Sequence, residues 1–330
     1  MPRAASLLPP LALLAIAGGC ASLPASSPAQ STRIWGFTAP WDARSSASVH
    51  AHAAQLNAVV YGWIQLDTIT GAPYSEFRDA LSRTAPPGTR PMAIVTTSIA
   101  GRFHPGTIGL LAGSDSLLAR TAGAIARRAA DAGYRGLVLD FEGHTAADLP
   151  ANAAVVRAIA DSAHAHAISP VAVAVPALDS AGYPASAFVP PADLVLVMLY
   201  DQHWAGSTPG PVAAPDWADR ALARRVAEVG ARRVVAGFPT YGYRWPAGQP
   251  GIAISYDDAR TAAAAANVAL TRDSATQSLR AAVPGQWELW MTDATLLARL
   301  VHDAAAQNVH TIALWRLGLE DPGIWSDILK

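Results

Sequence analysis

Eight short apolar runs rich in β-branched residues recur along the chain, and helical patterns fill the intervals between them. The runs are Arg33 to Phe37, Ala58 to Leu66, Met92 to Thr97, Gly136 to Glu142, Pro170 to Val175, Leu194 to Tyr200, Arg233 to Pro239 and His310 to Trp315. Strand and helix in repeated alternation is the pattern of βα units and a parallel sheet. Among the helices, Asp115 to Ala132 has Ser114 placed to cap it, Leu118 and Ile125 on one face, and Gly133 to end it. Ala153 to His166 is a second, with Val155, Val156, Ile159 and Ala163 along one side. Eight such units predict a (β/α)8 TIM barrel, an α/β fold that takes about 250 residues and tolerates insertions. The surplus falls at Tyr241 to Asp293, long for one connection, with strand-like pieces at Ile252 to Tyr256 and Trp287 to Met291 around a helix candidate. A small α+β insertion after strand seven is expected there.

With 330 residues, 51% hydrophobic and 15% charged, the chain is able to bury a large core. A formal net charge of -1 and the lack of any Lys or Arg run leave no electrostatic footprint for nucleic acid or an anionic membrane surface. A neutral partner is expected. Ten Trp is a heavy load of flat amphipathic rings, which stack on sugars as well as fill cores.

At the N-terminus, Arg3 precedes an apolar run from Leu7 through Ile16 and then Ala17-Gly18-Gly19-Cys20, the layout of an export signal and too short for a membrane span. Cys20 is the single cysteine, so no disulfide forms within the chain, and its place resembles the lipobox of bacterial lipoproteins. That resemblance implies a signal peptide over residues 1–19 and a lipid anchor on Cys20, the one expected contact with a membrane. Residues 20–31, rich in Ser, Pro and Ala, read as a flexible tether to a domain over residues 32–330. The expected location is the bacterial cell envelope.

The fourth apolar run carries the chemistry. In Gly136-Leu137-Val138-Leu139-Asp140-Phe141-Glu142, strand alternation puts Val138, Asp140 and Glu142 on one face and Leu137, Leu139 and Phe141 on the other, the two acids roughly 7 Å apart. Repulsion between like charges on one face raises at least one pKa and keeps a carboxylic acid protonated near neutrality. Barrel active sites lie where strands end. Strand six ends in Met198, Tyr200 and Asp201, strand seven runs into Tyr241 and Tyr243, and strand eight ends in Trp315. Acids, phenols and a tryptophan around one mouth suit a neutral polyhydroxylated substrate.

These residues resemble glycoside hydrolase family 18, the family of chitinases and related N-acetylglucosaminidases. Its acid strand stands here as Gly136 to Glu142, its Met-x-Tyr-Asp as Met198-Leu199-Tyr200-Asp201, its Gly-x-Pro-x-Tyr-Gly as Gly237 to Gly242, and its strand-eight tryptophan as Trp315. Trp35-Gly36-Phe37 leading to Trp41-Asp42, and Tyr200-Asp201-Gln202-His203-Trp204 leading to Gly210-Pro211, are similar to the bacterial subgroup of spore-wall lytic enzymes and polysaccharide-synthase-linked glycosidase domains. The resemblance implies retaining, substrate-assisted cleavage of an N-acetylhexosamine polysaccharide, without a cofactor or metal. Glu142 would be the general acid and base, Asp140 would steady the acetamido group, and Tyr200 and Asp201 would bind the same sugar. Met198, Trp315, His203, Trp204, Tyr241 and Phe37 would contact substrate. Val138 departs from the family, since many chitinases carry a third Asp there, and Arg135 replaces the signature's first Asp.

Other readings have less support. His50 with His52, and His164 with His166, sit two apart on helical patterns and do not face one ligand. Gly-x-Ser-x-Gly, His-Glu-x-x-His and a phosphate-cradling glycine loop are absent from the sequence. The alternative from another class is a non-catalytic carbohydrate-binding lipoprotein. The presence of Glu142 favours catalysis, because loss of the acid is what abolishes turnover. A glycosidase with its own nucleophile is a third reading, and it predicts cleavage of substrates without the acetamido group.

Overall fold

The computed structural model describes residues 31–77 and 86–327. The signal, the lipobox with Cys20 and nearly all of the tether lie outside the described residues.

Eight parallel strands close on themselves: β1 (Arg33–Phe37), β2 (Ala58–Leu66), β3 (Arg90–Thr96), β4 (Leu137–Asp140), β5 (Val171–Pro176), β6 (Leu194–Met198), β7 (Val234–Pro239) and β8 (Thr311–Trp315). Closure runs through β1, which pairs with β2 at Trp35 opposite Ala58 and with β8 at Arg33 opposite Thr311. This is the (β/α)8 barrel. Alternation sorts the strand residues into two cores. Trp35, Val60, Met92, Val138, Leu196 and Ala313 fill the barrel interior, while Ile34, Val59, Leu137, Leu139 and Val195 face outward against helix residues such as Ile125, Val155 and Leu300. Phe141 faces outward as well. The parity expected for the acid strand therefore holds, with Val138 inward and Leu137, Leu139 and Phe141 outward.

Parity changes in β2. Its register with β3 shifts between Val60 and Gly62, so Tyr61 is an extra residue and the strand carries a β-bulge. Val60 and Trp63, three apart, both point into the barrel. Gly62 permits the bend, because a Cβ there would lie 2.3 Å from the Tyr134 ring and 2.8 Å from the Ala93 methyl.

Several boundaries differ from expectation. The acid strand stops at Asp140 and strand six stops at Met198, leaving Glu142, Tyr200 and Asp201 in the loops beyond. The helix expected at Ala153 begins at Leu149, continuing a 3-10 turn over Ala146–Asp148 that Thr145 and Asp148 cap reciprocally, with Pro150 in the first helical turn, where its missing N–H costs nothing. The helix Asp115–Asp131 has Ser114 as its cap, accepting from the Leu117 N–H.

Between β7 and β8 stands the α+β insertion. Strands Gly242–Pro246, Ile252–Ile254, Thr271–Arg272, Leu279–Val283 and Trp287–Met291 make an antiparallel sheet with the helix Tyr256–Ala265. The strand expected to reach Tyr256 ends at Ile254, since Ser255 accepts from the Asp258 N–H at 3.1 Å and starts the helix.

Candidate active site

At the C-terminal mouth of the barrel lies a cavity of about 960 Å³ whose floor is apolar, with Ile94, Val138, Leu196 and Ala313 among its residues. Asp140 stands directly above them, 9% exposed, and Thr96 Oγ1 donates to its Oδ2 at 3.3 Å. Asp140 and Glu142 are hydrogen-bonded to each other. Burial is the first cause of their shifts, pushing Asp140 up to about 7 and Glu142 up to about 8. The negative charges of Asp140 and Asp201 act on Glu142 in second place. Repulsion between the like charges contributes as the sequence suggests, but desolvation over an apolar floor is the larger cause. Burial together with the like charges favours a shared proton on the pair, which keeps a carboxylic acid available near neutrality.

Across the mouth, the loop after β6 carries Tyr200 and Asp201. Asp201 takes a left-handed backbone, φ 57°, which turns the chain sharply at that point. Tyr241 Oη donates to its Oδ1 at 2.5 Å and Tyr243 Oη at 3.3 Å. Desolvation raises the Asp201 pKa and the two phenols pull it down. The Tyr200 ring lies nearly parallel to Trp315, 6.3 Å between centroids at 16°, and Phe37 meets Trp315 edge-on at 5.7 Å. These rings form one wall.

The structure brings Glu142, Asp140, Tyr200, Asp201, Met198, Trp315, Trp204 and Phe37 together around the cavity. Two expected contacts are corrected. Tyr241 is buried behind Asp201 and does not line the cavity, because its hydroxyl is committed to that carboxylate. His203 turns away: its Nδ1 is 2.9 Å from the Thr208 carbonyl oxygen, and its ring packs over Gly210.

Several lining residues were not foreseen. Trp41, 57% exposed, meets Trp63 at 5.1 Å and Phe77 at 5.6 Å, an aromatic cluster on the β1 and β2 side of the mouth. Gln65 Nε2 donates to Glu76 Oε2 at 3.3 Å beside it. The bulge aims Trp63 and Gln65 inward, and the one sequence signal for it is Gly62 inside an otherwise apolar strand.

Beneath the acid turn a second layer is fixed by hydrogen bonds. Tyr183, 2% exposed, donates from Oη to the Phe141 carbonyl oxygen at 2.9 Å and accepts from the His144 N–H at 2.9 Å. The wholly buried Arg225 donates to the carbonyl oxygens of Tyr183, Pro176 and Asp179 at 2.8, 2.6 and 2.8 Å and pairs with Glu228 at 3.2 Å.

No protein-family model matches the chain. The sporulation-specific glycosylase YdhD of Bacillus subtilis strain 168 is 27% identical over 261 residues, 71% of this chain and 59% of that protein, so the chain spans less than two thirds of that relative. Among solved structures, the spore cortex-lytic enzyme SleL of Bacillus cereus superposes with a TM-score of 0.80 at 20% identity, over 91% of this chain and 74% of SleL. A class V chitinase from Pseudomonas fluorescens Pf-5 superposes at 0.82 and 22% identity, over 90% of this chain and 98% of the chitinase. At those identities the structures share the fold, while YdhD adds likeness in sequence. The chain thus has the barrel fold of these chitinase and cortex-lytic structures and a sequence similar to that of YdhD.

Proposed function

We propose that the chain is a retaining glycoside hydrolase that cleaves a β-linked, N-acetylhexosamine-containing polysaccharide by substrate-assisted catalysis. The relatives' names, glycosylase and chitinase, support the reaction class. The observation that carries the mechanism is the hydrogen-bonded pair of Glu142 and Asp140. A glycosidase with its own nucleophile sets two carboxyls on opposite sides of the sugar, about 5–5.5 Å apart. Here Asp140 stands beside the acid, at the end of the same strand, and Asp201 across the mouth is engaged by the hydroxyls of Tyr241 and Tyr243, which supports attack by the substrate's own amide.

Glu142 gives its proton to the glycosidic oxygen while the substrate's 2-acetamido carbonyl oxygen attacks the anomeric carbon. The carbon–oxygen bond breaks, the leaving sugar departs as an alcohol, and a cyclic oxazolinium ion remains. Asp140, left ionised, accepts from the acetamido N–H and stabilises that cation in a site shielded from water. Tyr200 donates to the acetyl oxygen, and Trp315 packs its face against the sugar ring from the aromatic wall. The Glu142 carboxylate then takes a proton from water, which opens the ring with overall retention.

The test is to offer chitin oligomers, peptidoglycan and matched glycans without the acetamido group to the wild-type protein and to Glu142→Gln. Cleavage of the amidated glycans alone, lost in the variant, supports the reading; equal cleavage of glycans lacking the group overturns it. The N-terminal sequence supports a further proposal, that Cys20 is lipidated and tethers the barrel to the cell envelope.

A further inference from the structure

We infer that Tyr183 is a positioning residue that holds the turn carrying Glu142 in its reactive, water-poor geometry, an inference that rests on the role proposed for Glu142. Glu142 sits past the end of β4, so the strand ladder does not fix it. The turn Phe141 to His144 runs through Gly143 at φ 84°, a left-handed backbone that glycine takes without strain. The Tyr183 phenol spans that turn. It accepts from the His144 N–H and donates to the Phe141 carbonyl oxygen, one bond on each side of Glu142.

Tyr183 is itself anchored from a different part of the barrel. Arg225, on the helix Pro215–Val229 that follows β6, donates to the carbonyl oxygens of Tyr183 and Asp179 in the loop after β5 and to that of Pro176, the last residue of β5. Its partner Glu228 accepts from the Ala185 N–H at 2.5 Å and ties down the far end of the same loop. The acid turn is thus braced by elements two units away, which a strand end alone does not provide. Without the hydroxyl, a buried carbonyl and a buried N–H lose their partner, and the turn relaxes toward water to satisfy them.

The groups facing Glu142 are Asp140, Asp201, Tyr200 and Tyr183. Opening the turn leaves those charges in place and relieves burial, the first cause of the raised Glu142 pKa, so that pKa must fall.

The experiment compares wild type, Tyr183→Phe, Arg225→Gln and the core control Val156→Ala, chosen to lose a comparable amount of thermal stability. The readouts are kcat and KM on an N-acetylated oligomer and the titration of the Glu142 carboxyl carbon by NMR, which needs no turnover. Tyr183→Phe is expected to lower kcat about 10-fold with KM within about 2-fold, and to move the Glu142 titration about half a pH unit toward acid. Arg225→Gln is expected to repeat this signature, and it carries the test should Tyr183→Phe not fold. A wild-type Glu142 titration in both variants, or the same kcat loss in Val156→Ala, overturns the inference. If the wild type cleaves nothing while the titration still shifts, the glycosidase reading falls and the bracing of the turn stands.

Discussion

Tyr241 Oη lies 2.5 Å from Asp201 Oδ1, so the tyrosine of the strand-seven motif serves a carboxylate rather than a sugar. A hydrogen bond to the ionised form lowers a carboxyl pKa, and here it opposes the desolvation that raises it. Tyr241→Phe removes the donor. Asp201 is expected to titrate at a higher pH than in the wild type, with KM raised about 5-fold and kcat changed less. NMR titration of the Asp201 carboxyl, together with steady-state kinetics, checks the direction.

Glu142→Gln should separate activity from stability. Loss of the acid is expected to lower kcat by about 10²–10⁴-fold while substrate binding persists. The folded pKa of Glu142 is raised above its unfolded value, so the stability that its protonated form supplies is complete below pH about 4.5 and is lost as the pH rises through about 8. Glutamine does not titrate. The variant should therefore gain stability over wild type at pH 9 and little at pH 4, a difference visible in thermal melts at the two pH values.

The alkaline limb of the pH–rate profile should report Glu142 losing its proton, near pH 8. Asp140 adds to that pKa through its charge, second after burial. In Asp140→Asn the charge is gone, and the limb is expected to move toward acid as kcat falls. A limb that stays in place would mean that the proton lost belongs to another group.

Gly62→Ala tests the close approach at the bulge. The new methyl would meet the Tyr134 ring at 2.3 Å, which is far inside contact distance. A loss of about 1–3 kcal/mol is expected in urea unfolding, with a lower affinity for long oligomers as Trp63 shifts.

Cys20→Ser should release the protein from the membrane fraction if the cysteine carries lipid. Cell fractionation and metabolic labelling with a fatty acid give the answer, and continued labelling of the variant would place the lipid elsewhere.

The barrel was legible because its signal is local and repeated. Each apolar run needs a partner on either side, and eight of them with helices between leave few alternatives. The acid strand was legible too, since Val138 and Asp140 follow simple alternation from Leu137 onward. What escaped were features set by contacts distant in sequence. Trp63 and Gln65 are on the opposite parity from Ala58 and Val60, and only the pairing of Val60 and Gly62 with β3 reveals the change. Tyr183 lies 42 residues from the carbonyl it holds, in a loop with no motif of its own. His203 was misplaced because its loop folds back, with Thr208 and Gly210 taking the ring that would otherwise reach the mouth. In the insertion, Gly242–Pro246 contains a proline and two aromatic residues in a short span, and its strand character comes from pairing with Trp287–Met291, more than forty residues on.

The supernumerary residue in β2 belongs to the outer layer alone. Without Tyr61 the strand would alternate in the simple way, Val60 opposite Met92, Gly62 opposite Ala93 and Trp63 opposite Ile94, and every later side chain would keep the layer it now occupies. A one-codon loss at this point would thus cost the edge-on contact of Tyr61 with Tyr134, 5.3 Å between ring centroids, and spare the aromatic rim of the mouth. The strand carries its spare residue where the pairing with β3 does not depend on it.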